Sequence, residues 1–131
     1  VVDEEVVYNM NAYGYQNYKA QSVNTMTPGE MLGLLYDELL KRLTRAQLSL
    51  EKKDYMLFDQ SMQRSVEIVN YLKNTLDLKY EISFELNRLY DFFLYEFSRI
   101  KAGRNPKIIA EVRPLIVELR DAFKEAQQIS S

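Results

Sequence analysis

Apolar residues fall three or four positions apart through four long stretches of this chain, and short joints rich in helix-capping residues separate the stretches. That spacing stacks side chains along one face of an α-helix and fits no strand. Leu32, Leu35, Leu39, Leu43, Ala46 and Leu50 define a first helix, expected from about Thr27 to Glu51. Tyr55, Phe58, Met62, Ser65, Val69, Leu72 and Leu76 define a second, with small Ser61 and Ser65 permitting close approach. Ile82, Leu86, Leu89, Phe93, Phe97 and Ile100 define a third, from about Tyr80 to Ala102. The fourth carries Ile108, Val112, Leu115, Leu119, Ala122 and Ala126, widened by Ile109, Ile116 and Phe123.

The joints agree with this division. Thr27 is placed to N-cap the first helix, with Pro28 at its first position and Glu30 at the third position of a capping box. Lys52 and Lys53 stand where the helix dipole favours positive charge, and Asp54 caps the next helix. Asp77-Leu78-Lys79 forms a second tight joint; Gly103, then Asn105 and Pro106, mark the third as a C′ glycine, an N-cap and a first-turn proline. Short connections favour antiparallel neighbours, so the expected fold class is all-α: an up-down-up-down four-helix bundle. Residues 1–26 form an N-terminal extension and docking arm, and residues 27–131 the bundle. Pro114 falls inside the fourth helix, where a kink is expected rather than a fifth helix. On the outer side of the first helix, Asp37–Lys41 and Glu38–Arg42 are i,i+4 pairs in the favourable order.

Composition removes several function classes. A 47% hydrophobic content with three prolines and four glycines fits one globular domain. No apolar run approaches the ~18 residues of a membrane span, and the acidic Val1–Met10 is unlike a signal peptide. Neither membrane insertion nor secretion is expected. With no cysteine there is neither disulfide nor thiol chemistry, in keeping with a cytosolic protein. With no histidine, the usual general base and the histidine ligands of bundle metal sites are missing too. Asp3, Glu4 and Glu5 outweigh the net charge of −2, leaving the remainder near neutral without a basic face for nucleic acid. Glu81 with Glu85, and Glu111 with Glu118, share helical faces and read as solvated charges rather than acid–base pairs. Catalytic residues, cofactors and metals are therefore not expected, and the chain is read as a non-enzyme.

Two features point to binding. Tyr8, Tyr13, Tyr15 and Tyr18 crowd the segment before the bundle, around Gly14, and have no core of their own. An aromatic arm of this kind either seals the bundle or covers a groove until a partner displaces it. In the third helix, Leu89 to Phe97 is apolar almost all the way round. Leu89, Phe93 and Phe97 occupy the expected core stripe, leaving Tyr90, Phe92, Leu94 and Tyr95 to find other cover. A generously packed core is one outcome; a hydrophobic groove for a partner helix is the other.

Short motifs then add a family likeness. The chain reads Tyr15-Gln16-Asn17-Tyr18, Ser22-Val23-Asn24-Thr25, Thr27-Pro28-Gly29-Glu30 and Leu35-Tyr36-Asp37, followed by Leu76-Asp77, Glu81-Ile82-Ser83, Leu89-Tyr90-Asp91-Phe92 and Leu119-Arg120-Asp121-Ala122-Phe123. In this order and at these intervals it resembles the flagellar export chaperones of the FliS family, from about Tyr13 to Ala126. The resemblance implies a cytosolic chaperone that binds the C-terminal segment of flagellin, prevents premature polymerisation and supports delivery to the flagellar type III export apparatus. Further partners it implies are export-gate components, flagellar regulators and a second copy as a homodimer. A helical regulatory adaptor that sequesters a flagellar control protein is the alternative. The flagellin-binding residues expected are Tyr18 and Val23 at the arm junction, Tyr71, Leu72 and Leu76 on the second helix, and Ile82, Leu86 and Tyr90 on the third. Where family members often have a basic pair, this chain has Tyr95-Glu96-Phe97.

Overall fold

In a computed structural model, the described residues are Met26 and 28–130. Four helices make up nearly all of them: α1 Pro28–Glu51, α2 Tyr55–Asn74, α3 Glu81–Gly103 and α4 Pro106–Ser130. The arm, with Tyr18 and Val23, and the Thr27 N-cap lie outside the described residues.

Cross-links between helices fix their directions. Lys73 Nζ reaches Asp91 at 2.5 Å, while Lys101 Nζ donates to Gln63 at 3.2 Å, so α2 and α3 are antiparallel. Arg113 donates to Thr44 Oγ1 at 2.7 Å and Lys124 pairs with Asp37 at 2.9 Å, which makes α1 and α4 antiparallel as well. Each helix packs against two others in the ring α1–α2–α3–α4, and the α3–α4 seam is the sparsest. The up-down-up-down bundle expected from the periodicity is the fold observed.

The interior is filled by Tyr36, Leu39 and Leu43 of α1, Phe58, Met62, Val69 and Leu72 of α2, Tyr90, Phe93, Phe97 and Ile100 of α3, and Ile109, Val112 and Ile116 of α4. Each such side chain contributes ~1.5–3 kcal/mol on burial. Ser61 and Ser65 are buried too, their hydroxyls donating to the carbonyls of Leu57 and Ser61 one turn back, as small residues must at a close helix contact.

Several details depart from the sequence expectation. In α3 the inward stripe begins at Ser83 and gains Tyr90 and Glu96; Phe93, Phe97 and Ile100 are buried and Leu86 and Leu89 pack at the core's edge as the apolar spacing predicts, and Ile82 alone of that stripe points outward. A tyrosine enters the core because its hydroxyl has a partner: Tyr90 and Tyr36 hydrogen-bond to each other across the interior. In α4 the buried row is Ile108, Ile109, Val112 and Ile116, and Leu115, Ala122 and Ala126 face solvent. Asp37 does not pair with Lys41; it bridges to Arg120 and Lys124 of α4 instead, whereas the Glu38–Arg42 pair forms at 3.8 Å. Arg42 itself is buried rather than on the outer side.

The joints show why the helices stop. Asp54 N–H bonds the Ser49 carbonyl at 2.9 Å and Lys53 N–H the Leu50 carbonyl at 3.1 Å, a closing pattern that needs Lys53 in the left-handed region at φ 58. Asp54 then caps α2, accepting from Leu57 N–H at 3.1 Å. The second joint is longer than expected, spanning residues 75–80, and is tied by Ser83 Oγ donating to the Asp77 carbonyl at 2.6 Å. At the third, Arg104 rather than Gly103 takes the left-handed position, at φ 48, and its guanidinium lies 3.9 Å from the Tyr55 ring centroid. Asn105 accepts from Lys107 N–H at 3.0 Å, as an N-cap does. α4 runs through Pro114 as one element, so no fifth helix forms. Pro114 and Ala110 both face solvent, where water can satisfy the carbonyl that proline leaves without a donor.

Candidate binding surface

The largest apolar side chains left outside the core are concentrated on α3 and the turn leading into it. Phe84, Phe92 and Tyr95 project from the outer side of α3, with Phe84 57% and Tyr95 62% exposed. Helical periodicity aligns them: positions 84, 88, 92 and 95 are separated by three or four residues and form one ridge, with the exposed Arg88 between Phe84 and Phe92. Leu78, Tyr80 and Ile82 extend the apolar surface over the α2–α3 turn, and Tyr71 is exposed in the last turns of α2. The antiparallel topology places that turn at the end of the bundle where α1 begins. Met26 therefore enters the bundle at the end that carries Leu78, Tyr80 and Ile82.

The residues expected from the sequence divide accordingly. Tyr71 and Ile82 are exposed, as a partner-binding role requires. Leu76 and Leu86 are half-buried and pack against the core from its edge. Leu72 and Tyr90 are each only 1% exposed and belong to the interior. The sequence leaves Tyr90 among the side chains needing outside cover, and in the fold Tyr36 supplies it a buried partner. Burial pushes both phenols above the ordinary tyrosine range, so both are neutral hydrogen-bonding groups.

Phe84, Tyr80 and Leu78 were missed by the sequence reading. Phe84 had a usable signal: it stands one helical turn before Arg88 and lies off the buried stripe. Tyr80 and Leu78 had none, because their exposure depends on the length of the α2–α3 joint. Glu96 is the reverse case, a carboxylate buried on α3 and paired with Arg99 at 3.1 Å. Glu81, Glu85, Glu111 and Glu118 are exposed, and no group of acidic residues among the described residues is arranged to hold a metal ion. No helix among them is long and apolar enough to cross a membrane. Such a surface offers apolar area and aromatic edges, the chemistry by which one chain grips another.

Comparison with known proteins agrees with that character. The sequence pattern of the family described as "Flagellar protein FliS" matches residues 10–130. The flagellar secretion chaperone FliS of Bacillus subtilis (strain 168) is 30% identical over 114 residues, 87% of this chain and 86% of its own length. The flagellar secretion chaperone FliS of Salmonella typhimurium (strain LT2) is 27% identical over 107 residues, 79% of each chain. With the family pattern running through arm junction, bundle and aromatic ridge alike, the protein belongs to the FliS family of flagellar secretion chaperones.

Proposed function

We propose that this protein is a cytosolic export chaperone that holds the C-terminal segment of flagellin, keeps it from polymerising early and hands it to the flagellar type III export apparatus. The observation that carries this reading is the exposed ridge of Phe84, Phe92 and Tyr95 on a well-packed bundle. A segment that assembles through apolar helical faces needs those faces covered before export. A ridge of aromatic side chains with turn-spaced anchors is suited to a helix that lies along it. Ordering a client segment that is unfolded when free costs ~2–5 kcal/mol of the gross interaction, which keeps the complex releasable.

Titration of the full chain with a peptide from the C-terminal end of flagellin tests the proposal by amide chemical shifts. Shifts centred on Tyr80, Ile82, Phe84, Phe92 and Tyr95 are the expected result. Binding that leaves those amides unmoved, or no binding at all, contradicts it.

A further inference from the structure

The outer face of α1 carries a second, chemically different surface. A groove of about 740 Å³ runs along it, with Leu34, Leu40, Leu48 and Leu57 giving it an apolar floor. Its edge holds Lys41, Arg45 and Lys52; of the two carboxylates that also line it, Asp37 is engaged by Arg120 and Lys124, and Asp54 caps α2, so the cations outnumber the free negative charge. Positions 41, 45, 48 and 52 are three or four residues apart, so the three cations and Leu48 form one row along the helix. Lys41, Arg45 and Lys52 form no ion pair among the described residues, in contrast to Arg120 at the groove's far edge, which is engaged by Asp37 and Asp121. The aromatic ridge of α3 has no comparable run of cations.

We propose that this face docks an amphipathic helix of a partner protein whose apolar row is edged by carboxylates. The charge pattern chooses the partner's sign, and the leucine floor requires an apolar stripe beside its charges. Spacing chooses the conformation. Lys52, one residue past the end of α1, keeps the helical bond to the Leu48 carbonyl and stands about 17 Å along the axis from Lys41, a distance that carboxylates three turns apart on a second helix match. A membrane surface is a poorer match, because a concave groove flanked by Leu57 of α2 and Arg120 of α4 admits a rod better than a plane. The proposal does not depend on flagellin being the client of the α3 ridge.

The test uses the full chain and two synthetic helical peptides with the same leucine stripe, one edged by glutamates and the other by lysines. The acidic peptide is expected to shift the amides around Leu34, Thr44, Leu48 and Leu57 and to bind at least tenfold tighter than the basic one. Its affinity should fall as salt rises from about 0.05 to about 0.5 M, where screening shortens the reach of exposed charges. Lys41→Gln/Arg45→Gln/Lys52→Gln should remove most of the preference while leaving the thermal melt unchanged, since none of the three side chains is buried in the core. Equal binding of the two peptides, or shifts confined to α3, overturns the proposal. So does anionic-vesicle binding without a peptide preference, which would assign the face to a membrane. Self-association abolished by the triple variant also overturns it, assigning the face to a second copy.

Discussion

Among the described residues, Lys53 and Arg104 adopt the left-handed conformation at helix ends without being glycine, and they do so for different reasons. Lys53 has φ 58 and its side chain is exposed; only the closing hydrogen bonds of α1 hold it there. Lys53→Gly should stabilise the fold by ~0.5–1 kcal/mol, read as a higher denaturation midpoint at unchanged slope. Arg104, at φ 48, also covers the Tyr55 ring. Arg104→Gly relieves the same strain and loses a cation–π contact of ~0.5–1 kcal/mol, so its net effect should be close to zero. The Tyr36–Tyr90 pair sets a second expectation. Removing either hydroxyl leaves the other buried without its partner, at ~1–3 kcal/mol, whereas Tyr36→Phe/Tyr90→Phe should cost less than the two single changes added together. Both phenols have folded-state pKa values above the unfolded value of about 10. Their contribution to stability is therefore full below about pH 10 and is lost above it, as the unfolded chain releases protons that the folded one keeps. Denaturant melts from pH 8 to about pH 11 should show that decline, and the double phenylalanine variant should flatten it.

At the level of elements, the sequence shows most clearly what hydrophobic spacing controls. Helix number, order and approximate ends are legible because every helix has a three-to-four repeat, and Asp54 and Asn105 cap the starts of α2 and α4. Rotation about the helix axis is less legible where apolar residues exceed what one face can bury. In α3, Leu89 through Phe97 leaves several registers open, and the Tyr36 hydroxyl, on a different helix, draws Tyr90 inward. In α4 the same excess makes Leu115 look internal, although it is exposed and the inward row runs through Val112 and Ile116 instead. Asp37 was misassigned because a local partner at i+4 is visible in sequence, while Arg120 and Lys124 become neighbours only after α4 folds back. Pro114 offers a test at this scale. Pro114→Ala restores a donor to the Ala110 carbonyl and should stabilise the bundle by ~1–3 kcal/mol, as measured by thermal unfolding. The binding ridge makes the opposite kind of prediction: Phe84→Asp/Tyr95→Asp should change stability by little more than ~0.5 kcal/mol per site because both side chains are largely exposed. Leu72→Asp, by contrast, should cost more than ~3 kcal/mol, since it puts a charge in the core.

As a whole, the molecule separates stability from recognition. Its interior is closed by four helices around interlocking aromatic and aliphatic side chains, so apolar groups on the outside are not needed to hold the fold. The apolar turn before α3 stands at the end where α1 begins and the ridge runs from there along α3, whereas the groove on α1 combines leucines with unpaired cations. Family membership supplies the flagellar context for these surfaces, and their apolar and aromatic chemistry suits holding another chain. Calorimetric titration of a flagellin C-terminal peptide into the wild-type chain and into Phe84→Asp/Tyr95→Asp compares the two roles directly. The variant should bind at least tenfold more weakly, a loss of ~1.4 kcal/mol or more, at a melting temperature close to wild type. Equal affinity for the two proteins, or a binding loss matched by a loss of folding, would contradict the assignment of that ridge to the client.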